Sequence, residues 1–566
     1  MRKVVVQHQS QPLRGIVATK ARSRAAAEKV YGKQYSVSSA IAAPNTEHRT
    51  PNTDSTSCLR AFVAIMLGAL CAGAATHYVD AQNGAGAAVP FTNWATAAVR
   101  IQDAVDVASA GAFILVNTGV YASGVQFTPG FALANRLVVT NALTIASVGG
   151  PAVTAIAGTR DASSLLGLGS NAVRGVYLAG GAFLTGFSIS NGATFGVGTN
   201  TGHSFLERSG GGVFLDNAGI SNCIIANNAA DYYGGGVCGS NGVVVCAAQI
   251  SSNWAHASGG GIAWATNTVL LDSRISDNIV ADDGIGLSTD GGGGVCASAS
   301  GLISNCVISG NLCLRGGGGG VLIWRGMVEI IDCTIRGNRC TVGRAGGIYV
   351  NSWWPYYRVV VNNCSIEDNA NGPSQYGGGA YIYCGEVNNC LIAGNLAQGS
   401  GGGVMAASCW LNNCTIVSNR SQDSAGGIYL SDTITVLRNS IVYDNSAPAP
   451  HTNFYVSSGA ITCAFVCTMP LILGEGNSTN DPQFADFDGG NYRLALGSPC
   501  INAGSNAYAV GAFDLDDTAR IKQSIVDMGA YEAVPEPVTP CMVLLFTIYK
   551  LRVESRQRRE RYTIKC

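Results

Sequence analysis

Four carboxylates, Asp277, Asp282, Asp283 and Asp290, fall within one short stretch of this chain. Oxygen ligands on a flexible segment are what Ca²⁺ takes, so this set is a candidate Ca²⁺ site; it equally suits an ordinary solvated acidic loop. A second group is aromatic. Tyr349, Tyr381 and Tyr429 each follow a run of glycines by two positions, Trp324 and Tyr383 lie two further on, and Trp353, Trp354, Tyr356 and Tyr357 crowd one intervening loop. Flat rings exposed in a row suit stacking on sugars, because contiguous exposed apolar surface marks a binding site. The alternative is that stacked rings stabilise an outer sheet. General acid and base work on polysaccharides needs paired carboxylates. The outward series Asp216, Ser240, Ala265, Ser298, Trp324, Asn351, Tyr383, Ala407, Ser431 holds a single acid. Asp272 and Asp332 occupy equivalent places but skip a repeat, while His203, His256 and His451 fall in loops without alignment. No catalytic set is expected.

These comparisons presuppose a repeat. Ile(or Val)-x-x-Asn recurs with its Asn at 228, 253, 278, 311, 338, 369, 395, 419 and 445, at intervals of 24 to 33 residues, and nearly every copy is followed by a glycine run. A period of this size means a solenoid or a propeller. Each unit offers short apolar strands and no ten-residue amphipathic stretch, and the Trp-Asp signature of propeller blades is missing. The expectation is therefore all-β: a parallel β-helix whose equivalent residues stack about 4.8 Å apart. Cys223, Cys306, Cys333, Cys364, Cys390 and Cys414, with Ala248, Ser273 and Ser440, stand two residues before the Ile and share its face. They are expected to be buried thiols rather than disulfides, since side chains of one column point in parallel. The Asn column is expected to tolerate the left-handed turn conformation and to pair its amides along the stack.

Twelve per cent of the chain is charged and 47% hydrophobic, ample for a continuous core. The net charge of −1 conceals basic ends: from Thr76 to Ala533 there are 17 basic residues against 29 acidic. Nucleic acid is an unsuitable partner for that body. Residues 58–75 carry one Arg, an apolar run and small residues before Ala75, the pattern of a secretory signal peptide. The apolar run is short for a membrane span. It follows a polar, basic segment, 1–57, which is either a long leader or an over-extended gene start.

Tyr78-Val79-Asp80, Trp94 to Asp106 and Gly119-Val120-Tyr121 resemble the opening of bacterial right-handed β-helix proteins related to pectate lyases. Residues 94–108 then form an amphipathic helix capping the open end of the core. The Ile-x-x-Asn and Gly-Gly-Ile/Val pairs resemble repeats of polymorphic outer-membrane proteins. This resemblance implies a right-handed parallel β-helix over 76–480. Asp481-Pro-Gln-Phe484, Gly490 to Leu494, Ser498 to Gly504 and Val526 to Glu532 resemble the choice-of-anchor Q domain over 481–533. Val534-Pro535-Glu536-Pro537, an apolar run and a basic end resemble a PEP-CTERM sorting signal over 534–566, although only Val538 to Tyr549 are continuously uncharged where roughly 20 residues span a bilayer. That signal implies export in a Gram-negative bacterium and an exosortase-like sorting partner. Fragments similar to a polygalacturonase set, Asp282-Asp283-Gly284 and Arg520-Ile521-Lys522, lie too far apart to form one site. The expected protein is a secreted or cell-surface β-helix that is structural, adhesive or binds polysaccharide or a surface glycan. The alternative is a polysaccharide lyase or glycoside hydrolase, on fold analogy alone.

Overall fold

The computed structural model describes residues 74–533 apart from 165, 197–202, 282–290, 352–357, 374, 432–433 and 449–450. The expected leader, almost all of the expected signal segment and the sorting motif expected at Val534–Pro537 lie outside the described residues, as do Asp282, Asp283, Asp290, Trp353, Trp354, Tyr356 and Tyr357.

The chain winds as a right-handed parallel β-helix. One coil shows the plan, with strands Val321–Ile323, Val328–Ile331, Thr334–Arg336 and Arg339–Arg344. Each pairs in parallel with its equivalent in the next coil, so Ile323 meets Val350, Ile330 meets Val361, Ile335 meets Ile366 and Cys340 meets Asn371. Among the described residues the first three strands of successive coils join round their corners into one 36-stranded sheet, and the fourth strands form an 8-stranded sheet. Alternation on each short strand turns Val321, Ile323, Val328, Ile330 and Ile335 inward, and all are completely buried.

Two corners per coil are left-handed. One column of positive φ runs through Asn222, Ala247, Asp272, Asn305, Asp332, Asn363, Asn389, Asn413 and Asn439; the other runs through Asn227, Ser252, Asp277, Gly310, Gly337, Asp368, Gly394, Ser418 and Asp444. The second column stands one residue before the repeating Asn. That corrects the left-handed role expected of Asn228 and its equivalents, which have a different task. Asn338 donates both its backbone N–H and Nδ2 to Oδ1 of Asn369, at 3.0 Å each, and Nδ2 also reaches the Ile308 carbonyl at 2.9 Å. The same three bonds recur from Asn228 to Asn445. A side chain so committed replaces the backbone partners lost at a buried corner. The glycines pack against this ladder: a Cβ on Gly294 would lie 2.9 Å from Asn311 Nδ2 and 2.8 Å from the Gly320 carbonyl.

All described cysteines are buried free thiols. In the repeating column the sulfur reaches the carbonyl two residues back, as from Cys306 to Ser304 at 3.2 Å and from Cys333 to Ile331 at 3.1 Å, and Ser273 and Ser440 do the same with hydroxyls. A small donor that can satisfy the corner carbonyl explains why Cys and Ser alternate there.

At the N-terminal end the expected helix over 94–108 is shorter. Trp94–Thr96 is a 3₁₀ turn, Ala98 pairs with the strand Thr76–Val79, and only helix α1, Ile101–Val107, follows. Its Ile101, Ala104 and Val105 close over the core. At the other end, residues 481–533 have little regular structure beyond an antiparallel ribbon of Phe484–Asp486 with Asn491–Leu494. They lie against the outer face of the third strands of the later coils. Phe484, Phe487, Tyr492 and Leu515 pack on Leu391, Ala393 and Val417, while Asn439 exchanges bonds with Ser505 at 2.8 and 2.9 Å. Arg520, in the fragment that resembled part of a catalytic set, is buried and paired with Glu532 at 2.8 Å.

Candidate functional site

The middle residue of each first strand points outward. In register this column runs Ala263, Cys296, Leu322, Tyr349, Tyr381, Met405 and Tyr429. It is not an open platform. Loops between the fourth and first strands fold back over it, so Ala345, Tyr376 and Tyr233 join it in a second apolar cluster outside the sheet. Tyr349 and Tyr381 are only 7% and 9% exposed. Their rings meet edge to face at 5.2 Å, Arg344 lies 4.9 Å above Tyr381, and its Nη1 donates to Tyr349 Oη at 3.2 Å. Burial holds the Tyr381 phenol above its ordinary pKa, against the opposing effect of Arg344. The exposure expected of Tyr349 and Tyr381 is therefore corrected: alternation tells which side of the strand a residue leaves, and the loops decide whether that side is covered.

The accessible part of the aromatic set sits at the next corner. Trp324 and Tyr383 are half-buried and occupy equivalent positions two coils apart, about 9.6 Å at the usual strand spacing. Tyr429 is half-buried in the first-strand column. Beside them, on second strands, Glu386 stands in register with Trp410. Arg358 spans the two, forming an ion pair with Glu386 and placing its guanidinium 5.3 Å over the Trp410 ring. Arg325 is exposed on the same corner. Trp410 and Arg358 were not anticipated from sequence; counting outward positions along the second strands, as along the first, would have found Trp410.

A buried polar cluster was also missed. Asp231 and His256 each stand three residues past a ladder Asn, at the ends of the paired strands Ala229–Ala230 and Trp254–Ala255. That spacing aligns them on adjacent coils, an Asp–His pairing that comparing the histidines with one another does not reach. Asp231 Oδ1 lies 3.6 Å from His256 Nδ1, and Asp231 Oδ2 accepts from Arg208 Nε at 2.6 Å. Arg208 ends the short helix α2, Phe205–Arg208, and stacks over Tyr232. The carboxylate and imidazole stand side by side at a distance longer than a hydrogen bond, and both side chains are closed from solvent, at 1% and 4% exposure.

Of the candidate Ca²⁺ ligands only Asp277 is described. It is exposed and serves as a left-handed corner residue, φ +56°. Among the described residues no three His, Cys, Asp or Glu converge as a metal site. Asp514 is buried and accepts backbone bonds from Asp516, Thr518 and Glu532, a structural role. A pocket of about 70 Å³ beside α1 is lined by Arg100, Gln102, Tyr121 and Arg136. Both arginines are engaged there, Arg100 by Asp103 and Arg136 by the Ala157 carbonyl.

A family model described as a right-handed β-helix region matches residues 286–421 and, in an overlapping placement, 319–466. The matched stretch lies within the coils of the β-helix described above. Among solved structures it is similar to pectate lyase Pel9A, with 12% identity and a TM-score of 0.37 over 82% of this chain and 98% of that one. No curated protein matches it. Among the described residues no helix is long and apolar enough to cross a membrane.

Proposed function

We propose that the protein is an exported β-helix, held at the cell surface or secreted, that binds a polysaccharide or surface glycan at the corner bearing Trp324, Tyr383 and Trp410. The supporting observation is the arrangement of three half-buried rings spread over four successive coils, Trp324 two coils before Tyr383 and Trp410 one coil after it, beside the exposed Arg325 and Arg358. Rings offer stacking faces to sugars, guanidinium groups offer paired donors to hydroxyls and carboxylates, and the rigid coils hold both without an ordering cost. The excess of basic residues at both ends of the sequence and the Val534–Pro537 motif fit a leader and a sorting tail acted on by export machinery. Affinity electrophoresis through gels containing pectin, alginate or a sulfated polysaccharide tests the reading. Retardation of the full chain should fall at least tenfold in W324A and W410A, and Y381F should match the wild type because Tyr381 is covered. Equal retardation of all variants sinks the corner as the site.

A second reading, polysaccharide lyase or hydrolase, is favoured by the Arg208–Asp231–His256 cluster alone. New reducing ends or unsaturated products from the same polymers, with or without Ca²⁺, and their loss in H256A would establish it.

A further inference from the structure

The described cysteines differ in direction. Those of the repeating column stack inside the coils with parallel side chains, and each sulfur is committed to a backbone carbonyl. Parallel neighbours about 4.8 Å apart are poorly placed for a bridge, which needs Cβ atoms about 3.8 Å apart. Cys467 also donates to a backbone carbonyl, that of Asn480 at 3.0 Å, and differs from the column cysteines in the side of the strand it leaves. It pairs in register with Ile441, and that register places it in the outward column of the third strands. Earlier in this column Gln249 and Arg274 are exposed, whereas Leu391, Thr415, Ile441 and Cys467 are 5%, 1%, 1% and 0% exposed. The change follows the 481–533 segment, which covers the later coils.

Cys500 arrives from that cover, on the turn Ser498–Pro499–Cys500, and is also fully buried. Cys467 and Cys500 share one apolar cluster with Ile441 and Met528, and the two thiols are close enough to perturb each other's titration. The Met528 N–H donates to the Cys500 carbonyl at 3.0 Å, and the next residue, Gly529, donates to the Asn439 carbonyl of the coils at 2.8 Å, which ties this part of the cover to the last coils. Here the two thiols come from separate segments.

We propose that Cys467 and Cys500 are a disulfide-forming pair that fastens the 481–533 cover to the last coil. The oxidant is an ordinary disulfide donor, protein or small molecule. The Cys467 thiolate attacks the donor disulfide, whose far sulfur leaves as a thiolate. Deprotonated Cys500 then attacks Cys467 Sγ in the mixed disulfide and expels the second donor sulfur. Two protons and two electrons pass from the pair, and one donor disulfide becomes two thiols. The two thiols interact as they titrate, so one proton leaves well before the other, and the sequence of attacks needs only one thiolate at a time. Because both sulfurs are covered in the closed form, exchange takes place as the cover docks or when it opens.

The test uses the full chain, purified reduced, incubated with oxidised glutathione, quenched in acid, unfolded, alkylated and digested with trypsin. The expected result is loss of two alkylatable thiols and a linked pair of peptides, 439–493 with 494–520. Cys463 shares the first peptide, so the link must vanish in C467S. Partial proteolysis of the folded wild type should release 494–533 at least tenfold more slowly after oxidation than after reduction, a comparison that needs no variant. Full alkylation of Cys467 and Cys500 after glutathione treatment, a link that persists in C467S, or a bridge formed instead between Cys313 and Cys340 overturns the proposal.

Discussion

Asn338 shows how one side chain holds a coil. Its Oδ1 accepts from the backbone N–H and Nδ2 of Asn311, and its own amide serves Asn369 and the Ile308 carbonyl. Asn338→Ala would strand several of these groups in a core position that is 1% exposed, at roughly 1 to 3 kcal/mol for each unsatisfied group. A loss of about 3 to 5 kcal/mol is expected, read as a lower urea midpoint. Arg336→Ala, two residues away and exposed, should stay within about 0.5 kcal/mol of wild type. The position of Asn338 was legible because the Asn recurs while its neighbours vary. Its task was only partly legible: amide pairing was anticipated, but the left-handed corner belongs to the residue before it, where Asp277, Gly310 and Ser418 are equally accommodated. Tyr381 failed differently. Its outward direction follows from alternation, and its cover comes from Tyr376 on a loop and Arg344 at the end of a fourth strand, segments whose lengths obey no period.

The element that most exceeded its sequence signal is the 481–533 cover. Four motifs marked it as a unit, and nothing in them said which face it would occupy. The face was written in the coils themselves, where polar Gln249 and Arg274 give way to Leu391 and Ile441. Inside the cover, burial raises the Glu532 carboxyl to about 7, against the opposing charge of Arg520, and burial raises Asp527 in the same direction. A carboxyl whose folded pKa lies above its unfolded value retains a proton that the unfolded chain releases. Its contribution to stability is full below about pH 4.5 and is lost as pH rises through about 7. The urea midpoint for loss of the cover, followed by proteolytic release of 494–533, should therefore be higher at pH 5 than at pH 8. Glu532→Gln, which stays neutral throughout, should shrink that difference. An unchanged difference would assign the pH dependence to other groups.

At the scale of the whole molecule, stability is passed from coil to coil. Each coil is paired only with its neighbours, as in other solenoids, and the cover ties several of them together through Asn389, Thr415 and Asn439. A chain ending at 480 would expose Leu391, Val417 and Ile441. It should bind more of a hydrophobic dye and elute partly as aggregate on size exclusion, whereas an independent terminal domain could be removed without either effect.

The ladder of asparagines has one further property: every bond from one Asn to the next donates toward the C-terminus. A polar chain with such a sense needs a donor to start it and an acceptor to finish it. The Gly192 N–H supplies the first by donating to Asn228 Oδ1 at 2.8 Å. Asn453 closes it, accepting from Asn445 and passing its own Nδ2 to the Met469 carbonyl at 2.7 Å. Only the two ends are specialised, so the number of turns between them is a free variable. Excising 312–338 would bring Asn311 into the place of Asn338 with every donor still matched, and a shorter protein with the same circular dichroism would follow. Gain and loss of turns by unequal recombination is thus open to this architecture, and its reach can be reset without redesigning a single contact.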